Sequence, residues 1–297
     1  MSNTPRRAAS VALASITALL LLAMAPSVRA GQAQHSSRHH AVVQILRDPN
    51  GNALRFGPRN AFAMSENWSG YILPKFETKQ KYLSASGTWT VPSVTFEDAP
   101  SGFDMELSAT WVGIGGYCKN TRCRAVDHRL IQLGTEQDAF SDNTTSYYAW
   151  YEMLPAFETP IPSTMLAIHP GDTITASLTC AGKCKGKASW TLTINDVTTR
   201  QNFSTTVRYR ASKLSAEWIE EAPSFGVIQP LADFNTVALT QSVANGAGAD
   251  LSLGDSLALV NPSYGPTSNI SRLNSTLDGF SACWGANRLL TSCSPPL

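Results

Sequence analysis

From Asn67 onward, apolar and polar residues alternate in short runs broken by turn residues, the pattern of strands with one covered face. Gly87-Thr-Trp89-Thr-Val91 stops at Pro92, and the alternating run from Thr173 to Thr179 follows a Pro170-Gly171-Asp172 turn. The runs Ser189 to Ile194 and Phe203 to Tyr209 behave in the same way. No stretch in this region keeps a helical period over the roughly ten residues a helix needs, and no solenoid or propeller repeat is present. Antiparallel strands with one apolar face must cover it with a second sheet. The pattern therefore predicts an all-β fold, an antiparallel double β-sandwich of the jelly-roll or concanavalin-like kind.

Strand geometry also sorts side chains, because successive residues leave opposite faces. Ile131 and Leu133 share one face and Gln132 takes the other. Trp150 and Glu152 share a side, and Glu217 stands opposite Ala216 and Trp218. Adjacent strands could thus bring Gln132, Trp150, Glu152 and Glu217 onto one concave surface.

The first 63 residues have another texture. Arg6 and Arg7, the apolar run Val11 to Ala25, and Pro26 to Ala30 form the three parts of a secretory signal, residues 1–30, with cleavage expected after Ala30. The run is shorter than the roughly 20 residues of a spanning helix and no second one follows, so no membrane anchor is expected. Residues 31–63 carry His35, Arg38, His39, His40, Arg47, Arg55 and Arg59 with little apolar period, and are read as a propeptide ahead of one domain at 64–297. A secreted or periplasmic product is expected. Export favours disulfides, and the six cysteines fall into the close pairs Cys118/Cys123, Cys180/Cys184 and Cys283/Cys293. Spacing alone leaves other pairings open.

With 43% hydrophobic and 15% charged residues the 297-residue chain can bury a sizeable core. Its formal charge of +1 hides an asymmetry: residues 1–60 hold seven Arg and one Asp, leaving 16 basic and 21 acidic side chains beyond them. Such an acidic body offers no concentrated basic face for nucleic acid. The chain has no Gly-x-Ser-x-Gly, no His-Glu-x-x-His, and no Asp-Thr-Gly or Asp-Ser-Gly. His128 and His169, the histidines outside the leader, lack partners at triad or metal spacing and read as surface residues. Carboxylates and amides are then left to carry any catalysis, without metal or cofactor. Trp89 and Trp190 read as core, and Glu220 and Glu221, next to Pro223, as surface charge.

Six segments occur in a telling order: Asn67-Trp68-Ser69-Gly70, Trp89-Thr-Val-Pro92, Trp111-Val-Gly-Ile114, Ile131-Gln132-Leu-Gly134, Ala149-Trp150-Tyr151-Glu152 and Ala216-Glu217-Trp218-Ile219. In that order the chain resembles the glutamic peptidases, also called eqolisins, over roughly Asn67 to Phe234. The resemblance implies a double β-sandwich and peptide-bond hydrolysis at acid pH by a Gln and Glu dyad, here Gln132 and Glu217. It places Trp111, Trp150 and Glu152 around the cleft, where substrate binds. The chemistry stands without the family: a carboxylate can take a proton from water and return it to the leaving amine. A Gln can orient that water through its carbonyl oxygen and donate N–H to the oxyanion. Two positions depart from the fungal pattern, Gly115 and Tyr148, where those members carry Asp. Expected partners are polypeptide substrates and the propeptide itself, with the protein a monomer.

The residues alone also admit a jelly-roll glycosidase using Glu152 and Glu217, and a non-catalytic carbohydrate-binding sandwich using the aromatic face. Gln132 is indispensable only to the peptidase. A further expectation is that the basic leader shields the cleft at neutral pH and leaves when cleft carboxylates protonate.

Overall fold

The computed structural model describes residues 1, 38–56, 62–97, 102–260, 268–285 and 293–297. Apart from Met1, the signal segment and the first seven propeptide residues fall outside the described residues. The elements run β1 Arg55–Phe56, β2 Phe62–Ser65, β3 Trp68–Pro74, a four-residue helix α1 Lys75–Thr78, β4 Ser84–Thr90, β5 Met105–Gly115, β6 Leu130–Phe140, β7 Thr145–Met153 and β8 Thr159–Pro160. They continue with β9 Thr173–Ala181, β10 Ala188–Asp196, β11 Gln201–Tyr209, β12 Ser215–Glu221, β13 Ser224–Phe225, β14 Val227–Ile228, β15 Thr236–Ala244, β16 Ala247–Gly248, β17 Asp255–Leu259, β18 Ser268–Ile270 and β19 Phe280–Trp284.

Two antiparallel layers result, as the alternation predicts. The front layer runs β8-β7-β6-β5-β12-β3-β17, with β2 added in parallel to β17 and β1 beyond it. The back layer runs β11-β10-β9-β4-β15-β19-β18. A single β17–β18 pairing, Leu259 with Ser268, joins them. Back-layer strands β9 and β10 alternate buried and half-buried residues with period two, because one face packs inward and the other meets solvent. Val112, Ile114, Ile131, Leu133, Ala149, Ala216 and Trp218 of the front layer meet Trp89, Trp190, Ile174, Leu178, Leu192 and Leu239 of the back in one core. Trp89 and Trp190 are core residues, as expected.

The front strands break the alternation rule. Every residue of β12 and all but the ends of β5 and β6 are buried, because the outer face of this sheet is covered as well. Glu220 and Glu221, read from sequence as surface charge, are both buried. Neighbouring Pro223 had suggested a loop, but the pairing of β12 with β3 and β5 carries both carboxyls inside, on opposite faces. His128 and His169 are exposed, as read. The disulfides are Cys118–Cys123, Cys180–Cys184 and Cys283–Cys293. Among the described residues no helix is long and apolar enough to cross a membrane.

Glu220 lies between the layers, where the Thr110 hydroxyl donates to its Oε2 at 2.6 Å. Burial pushes its carboxyl up to about 8, with Thr110 and Ser108 offsetting only part of the shift. A carboxyl raised on folding stabilises the native state below the unfolded pKa of about 4.3, and that contribution is lost as pH rises through the folded value. Glu220→Gln, isosteric and neutral, is therefore expected to leave the melting temperature unchanged at pH 4 and to raise it by several degrees at pH 8–9. Equal thermal shifts at both pH values would remove Glu220 from the alkaline stability of the protein.

Candidate active site

Strand register assembles the site. Ile72, Glu217, Gly113, Gln132 and Glu152 sit directly opposite one another across β3, β12, β5, β6 and β7. One row of the front sheet thus carries all three polar residues singled out by sequence on the same outer face. The neighbouring row holds Gly70, Ile219, Trp111, Gly134 and Trp150, and the next Trp68, Glu221, Ala109, Glu136 and Tyr148. Gly113 and Gly134 keep these rows close. A Cβ on Gly113 would come within 2.8 Å of the Trp111 ring, and one on Gly134 would strike the Thr110 carbonyl and Trp111. Trp111 and Trp150 therefore flank a strip with no side chain, a floor on which extended chain can lie.

That floor is occupied by the chain's own residues 38–46. His39 forms an antiparallel bridge with Ser224, its N–H donating to the Ser224 carbonyl at 3.1 Å and its carbonyl accepting from Ser224 N–H at 3.0 Å. His40 N–H donates to Glu152 Oε2 (3.1 Å), and the Gln132 amide donates both to Glu152 Oε2 (2.8 Å) and to the His40 carbonyl (2.9 Å). Further along, Asn67 Nδ2 donates to the carbonyls of Ala41 (3.4 Å) and Val42 (3.2 Å), and Val43 N–H reaches the Gly116 carbonyl. From Gln44 the segment pairs with the β2 end of the front sheet, through Leu46 N–H to the Met64 carbonyl and Glu66 N–H to the Gln44 carbonyl.

Two basic side chains fasten this segment. Arg38 donates to Glu136, to Asp138 (2.8 Å) and to the Tyr148 hydroxyl (2.9 Å). The His40 ring stacks on Trp150, centroids 3.5 Å apart and planes within 3°. Its Nε2 lies 2.9 Å from Glu158 and 3.1 Å from Glu136, and its Nδ1 3.4 Å from Glu221. Burial alone would drive the His40 proton off, but contacts with Glu136, Glu158 and Glu221 override it and hold the imidazolium well above the ordinary range. Glu136 is buried too, yet Arg38 and His40 bring it down to about 2, so it stays ionised. Asp138, buried beside that anion, is pushed well above the usual carboxylate range. Burial raises Glu221 to about 7, against the pull of His40, and Trp111 Nε1 donates to it at 2.7 Å. His40, Glu136 and Glu158 converge closely enough to be metal ligands, but the His40 nitrogen already stands on both carboxylates, so the trio is an ion cluster.

Glu217 and Gln132 differ from this clasp in having spare valence. Neither carboxylate oxygen of Glu217 and not the carbonyl oxygen of Gln132 has a well-formed hydrogen bond, although all are buried. Burial pushes the Glu217 carboxyl well above its ordinary value, Ser215 and the Gly115 N–H pulling weakly back and Asp127 adding to the rise. Burial likewise raises Glu152, with His39 as its main counterweight. The two departures have local causes. Gly115 has φ +96°, and a Cβ there would collide with the Arg129 carbonyl, so no aspartate fits this backbone. Tyr148 is buried, its hydroxyl donating to Glu158 at 3.0 Å while it accepts from Arg38.

All five residues singled out by sequence, Gln132, Glu217, Trp111, Trp150 and Glu152, thus share one face. Sequence reasoning missed Glu136, Asp138, Glu158 and Glu221. The signal for two of them was present, since Glu136 and Asp138 follow Gln132 at even spacing on one strand.

The peptidase A4 family model matches residues 66–273. Aspergillopepsin-2 of Aspergillus niger is 26% identical over 247 residues, covering 77% of this chain and 81% of its own. Two solved structures have a similar fold. One is scytalido-glutamic peptidase with a transition-state analogue inhibitor, 23% identical, covering 74% of this chain and 98% of that one, with TM-score 0.54. The other is the eqolisin SCP-B with a bound tripeptide, 22% identical over the same shares, with TM-score 0.50.

Proposed function

The chain belongs to the peptidase A4 family and is a glutamic endopeptidase, and we propose that Glu217 and Gln132 are the pair that hydrolyses the peptide bond. The observation that carries this reading is the single row Glu217–Gly113–Gln132, in which both side chains keep buried oxygens without a well-formed hydrogen bond. A water between them is oriented by the Gln132 carbonyl oxygen and gives its proton to Glu217 as its oxygen attacks the scissile carbonyl. The Gln132 amide N–H stabilises the oxyanion, and Glu217 then passes the proton to the departing amine. Trp111 and Trp150 form the floor of the substrate cleft, and Glu152 holds the Gln132 amide in orientation. Each chain carries the whole pair, so a monomer suffices.

The leader, through its described residues from Arg38, acts as an internal shield. Arg38 and His40 bind the acidic wall and exclude water from the pair. With the leader in place, desolvation keeps Glu217 protonated, so it cannot accept a proton. Admitting water removes that penalty and lets it ionise. The basic leader, the signal at 1–30 and the three disulfides support export as a precursor.

Gln132→Ala tests the reading. On a denatured protein substrate at acid pH it is expected to lower kcat/KM by about 10²–10³-fold, the usual effect of removing an oxyanion donor. Retained proteolysis in a folded Gln132→Ala protein would overturn the pair. Loss of proteolysis with polysaccharide hydrolysis intact would restore the glycosidase reading of Glu152 and Glu217.

A further inference from the structure

We propose that one end of the sandwich is a docking surface for an anionic polysaccharide, one carrying sulfate or phosphate esters, which anchors the enzyme away from its cleft. The inference does not depend on which residues perform the hydrolysis.

Strand direction assembles this surface. β3, β5, β9 and β11 finish, and β4, β6, β10 and β12 begin, at the same end. Loops of both layers are tied together there: Lys75 N–H donates to the Leu214 carbonyl (2.7 Å), Tyr82 N–H to the Lys213 carbonyl (3.3 Å) and Cys180 N–H to the Leu83 carbonyl (2.8 Å). Residues 75–83 bring Lys75, Lys79 and Lys81, and residues 116–129 bring Lys119, Arg122, Arg124 and Arg129. The β9–β10 hairpin adds Lys183, Lys185 and Lys187, and residues 210–214 add Arg210 and Lys213. Twelve of the 16 basic side chains beyond residue 60 thus share one end, and the acids in these loops and in 245–254 are Glu77, Asp127 and Asp250. The loops of the opposite end, 91–104, 141–144, 170–172, 197–200 and 222–235, hold Arg200 as their one basic residue. The net acidic charge read from sequence therefore hides a basic face, because chain order scatters its members and only the fold gathers them.

All twelve but Lys75 and Lys213 are exposed. Lys213 is drawn inside, its Nζ donating to the Cys184 carbonyl, where burial and the neighbouring Lys81 charge lower its pKa. The Cys118–Cys123 and Cys180–Cys184 disulfides hold the loops that display Lys119 to Arg124 and Lys183 to Lys187. Two open clefts cross the surface. One, of about 320 Å³, is lined by Lys75, Phe76, Lys79, Cys118, Lys119 and Leu214. The other, of about 460 Å³, shares Lys119 and Leu214 with it and adds His128 and Arg129 beside Asp127 and Ser212. Like charges gathered in this way repel and cost stability, and an anionic partner removes that cost.

The partner's chemistry follows from what the surface has and lacks. At the acid pH where the enzyme is expected to act, carboxylates with an ordinary pKa of about 4 lose charge, whereas sulfate esters and phosphodiesters stay ionised, so acidic polypeptides and uronate polymers do not fit. The exposed large apolar side chains of these loops are Leu83 and Leu253, too few for a face that enters a membrane. Among the described residues no exposed aromatic ring stands there to stack on bases. What remains is charge spread over loops of two layers about 10 Å apart, which a polymer spans and a single small anion does not. The row of Glu217 and Gln132 lies on the outer face of the front sheet and not at this end, so a bound polymer leaves it open to substrate.

The test is to measure binding of the protein as secreted to heparin and to a phosphomannan at pH 4 over a range of salt, with desulfated heparin, duplex DNA and phosphatidylglycerol vesicles compared at equal charge. At least one of the two ester polymers is expected to bind, the tighter of them naming the ester, and desulfated heparin is expected to bind more weakly than heparin. Lys183→Gln, Lys185→Gln and Lys187→Gln together should weaken binding by at least about tenfold and lower the slope of log Kd against log salt by about two to three, while casein is digested at the wild-type rate. Lys119→Gln with Arg122→Gln and Arg124→Gln should do the same. Neither polymer binding, or full affinity in both triple variants, overturns the proposal. Tighter binding to DNA or to the vesicles overturns the polysaccharide as the partner. Casein left intact by a wild type that binds the polymer overturns the peptidase reading and leaves this one standing.

Discussion

Replacing Glu217 by Gln is expected to lower kcat/KM for a denatured protein substrate at acid pH by about 10²–10⁴-fold, the usual contribution of a positioned proton-transfer group, without unfolding the protein. The amide matches the carboxyl in size but cannot take a proton from water, and no other described acid in the row except Glu152 lies beside Gln132. Glu152 already accepts from Gln132, His39 and the His40 N–H, so it is committed to holding the site together. Stability should move the other way. Burial raises the Glu217 pKa, so its contribution to the fold is present below about pH 4.3 and is lost as pH rises toward the folded value. The variant escapes that loss and should melt with the wild type at pH 4 and above it at pH 7. A Glu217→Gln enzyme that digests protein at the wild-type rate would sink the assignment.

The second large effect concerns the clasp. Removing one partner of a buried ion pair costs about 3–5 kcal/mol, because the other charge stays buried and unpaired. Arg38→Ala combined with His40→Ala, made in a Glu217→Gln background so that nothing is cut, should raise amide hydrogen exchange over residues 38–46 at pH 7 by at least about 10²-fold. Exchange unchanged from the parent would mean that backbone pairing with Ser224 and the β2 end of the sheet, not the acidic wall, holds the leader.

The pH at which the leader departs follows from the same groups. His40 has a raised pKa, so its contribution is complete below about pH 6.5 and is lost only as pH rises through the folded value. Acid cannot loosen the clasp through His40. Asp138 and Glu221 are also raised, to well above the usual range and to about 7, so much of their charge is gone before the solution is strongly acid. Glu136, brought down to about 2, is different: its contribution is present above about pH 4.3 and is lost as pH falls toward 2. If the leader leaves on acidification, the lowered carboxyl of Glu136 is expected to confine that release to the strongly acid range, a narrower expectation than a general protonation of cleft carboxylates.

How much of this was legible in the sequence depends on how local the cause is. Period-two alternation in Thr173 to Thr179 and Ser189 to Ile194 fixed β9 and β10, because each strand has one covered face. The same parity put Gln132 opposite Ile131 and Leu133, and Glu217 opposite Ala216 and Trp218, and the ordered motifs singled out which polar residues to propose for the site. The reading failed at Glu220 and Glu221. A carboxylate beside a proline looks exposed unless it is known that both faces of its strand are covered, and that covering comes from residues far away in the chain.

The sequence by itself determined the all-β class and the family and placed five candidate residues on one face, since each rests on local periodicity or an ordered set of motifs, whereas the three close cysteine pairs it suggested were fixed by the structure. Only the tertiary structure decided that Glu217, Gly113, Gln132 and Glu152 form one row. It alone put residues 38–46 across that row, with the carboxylates around His40 keeping its ring charged in an interior that would otherwise favour the neutral form. Register between distant strands and desolvation are properties of the assembled sandwich: the first is fixed by pairing over about a hundred residues of separation, and the second depends on every atom that keeps water out.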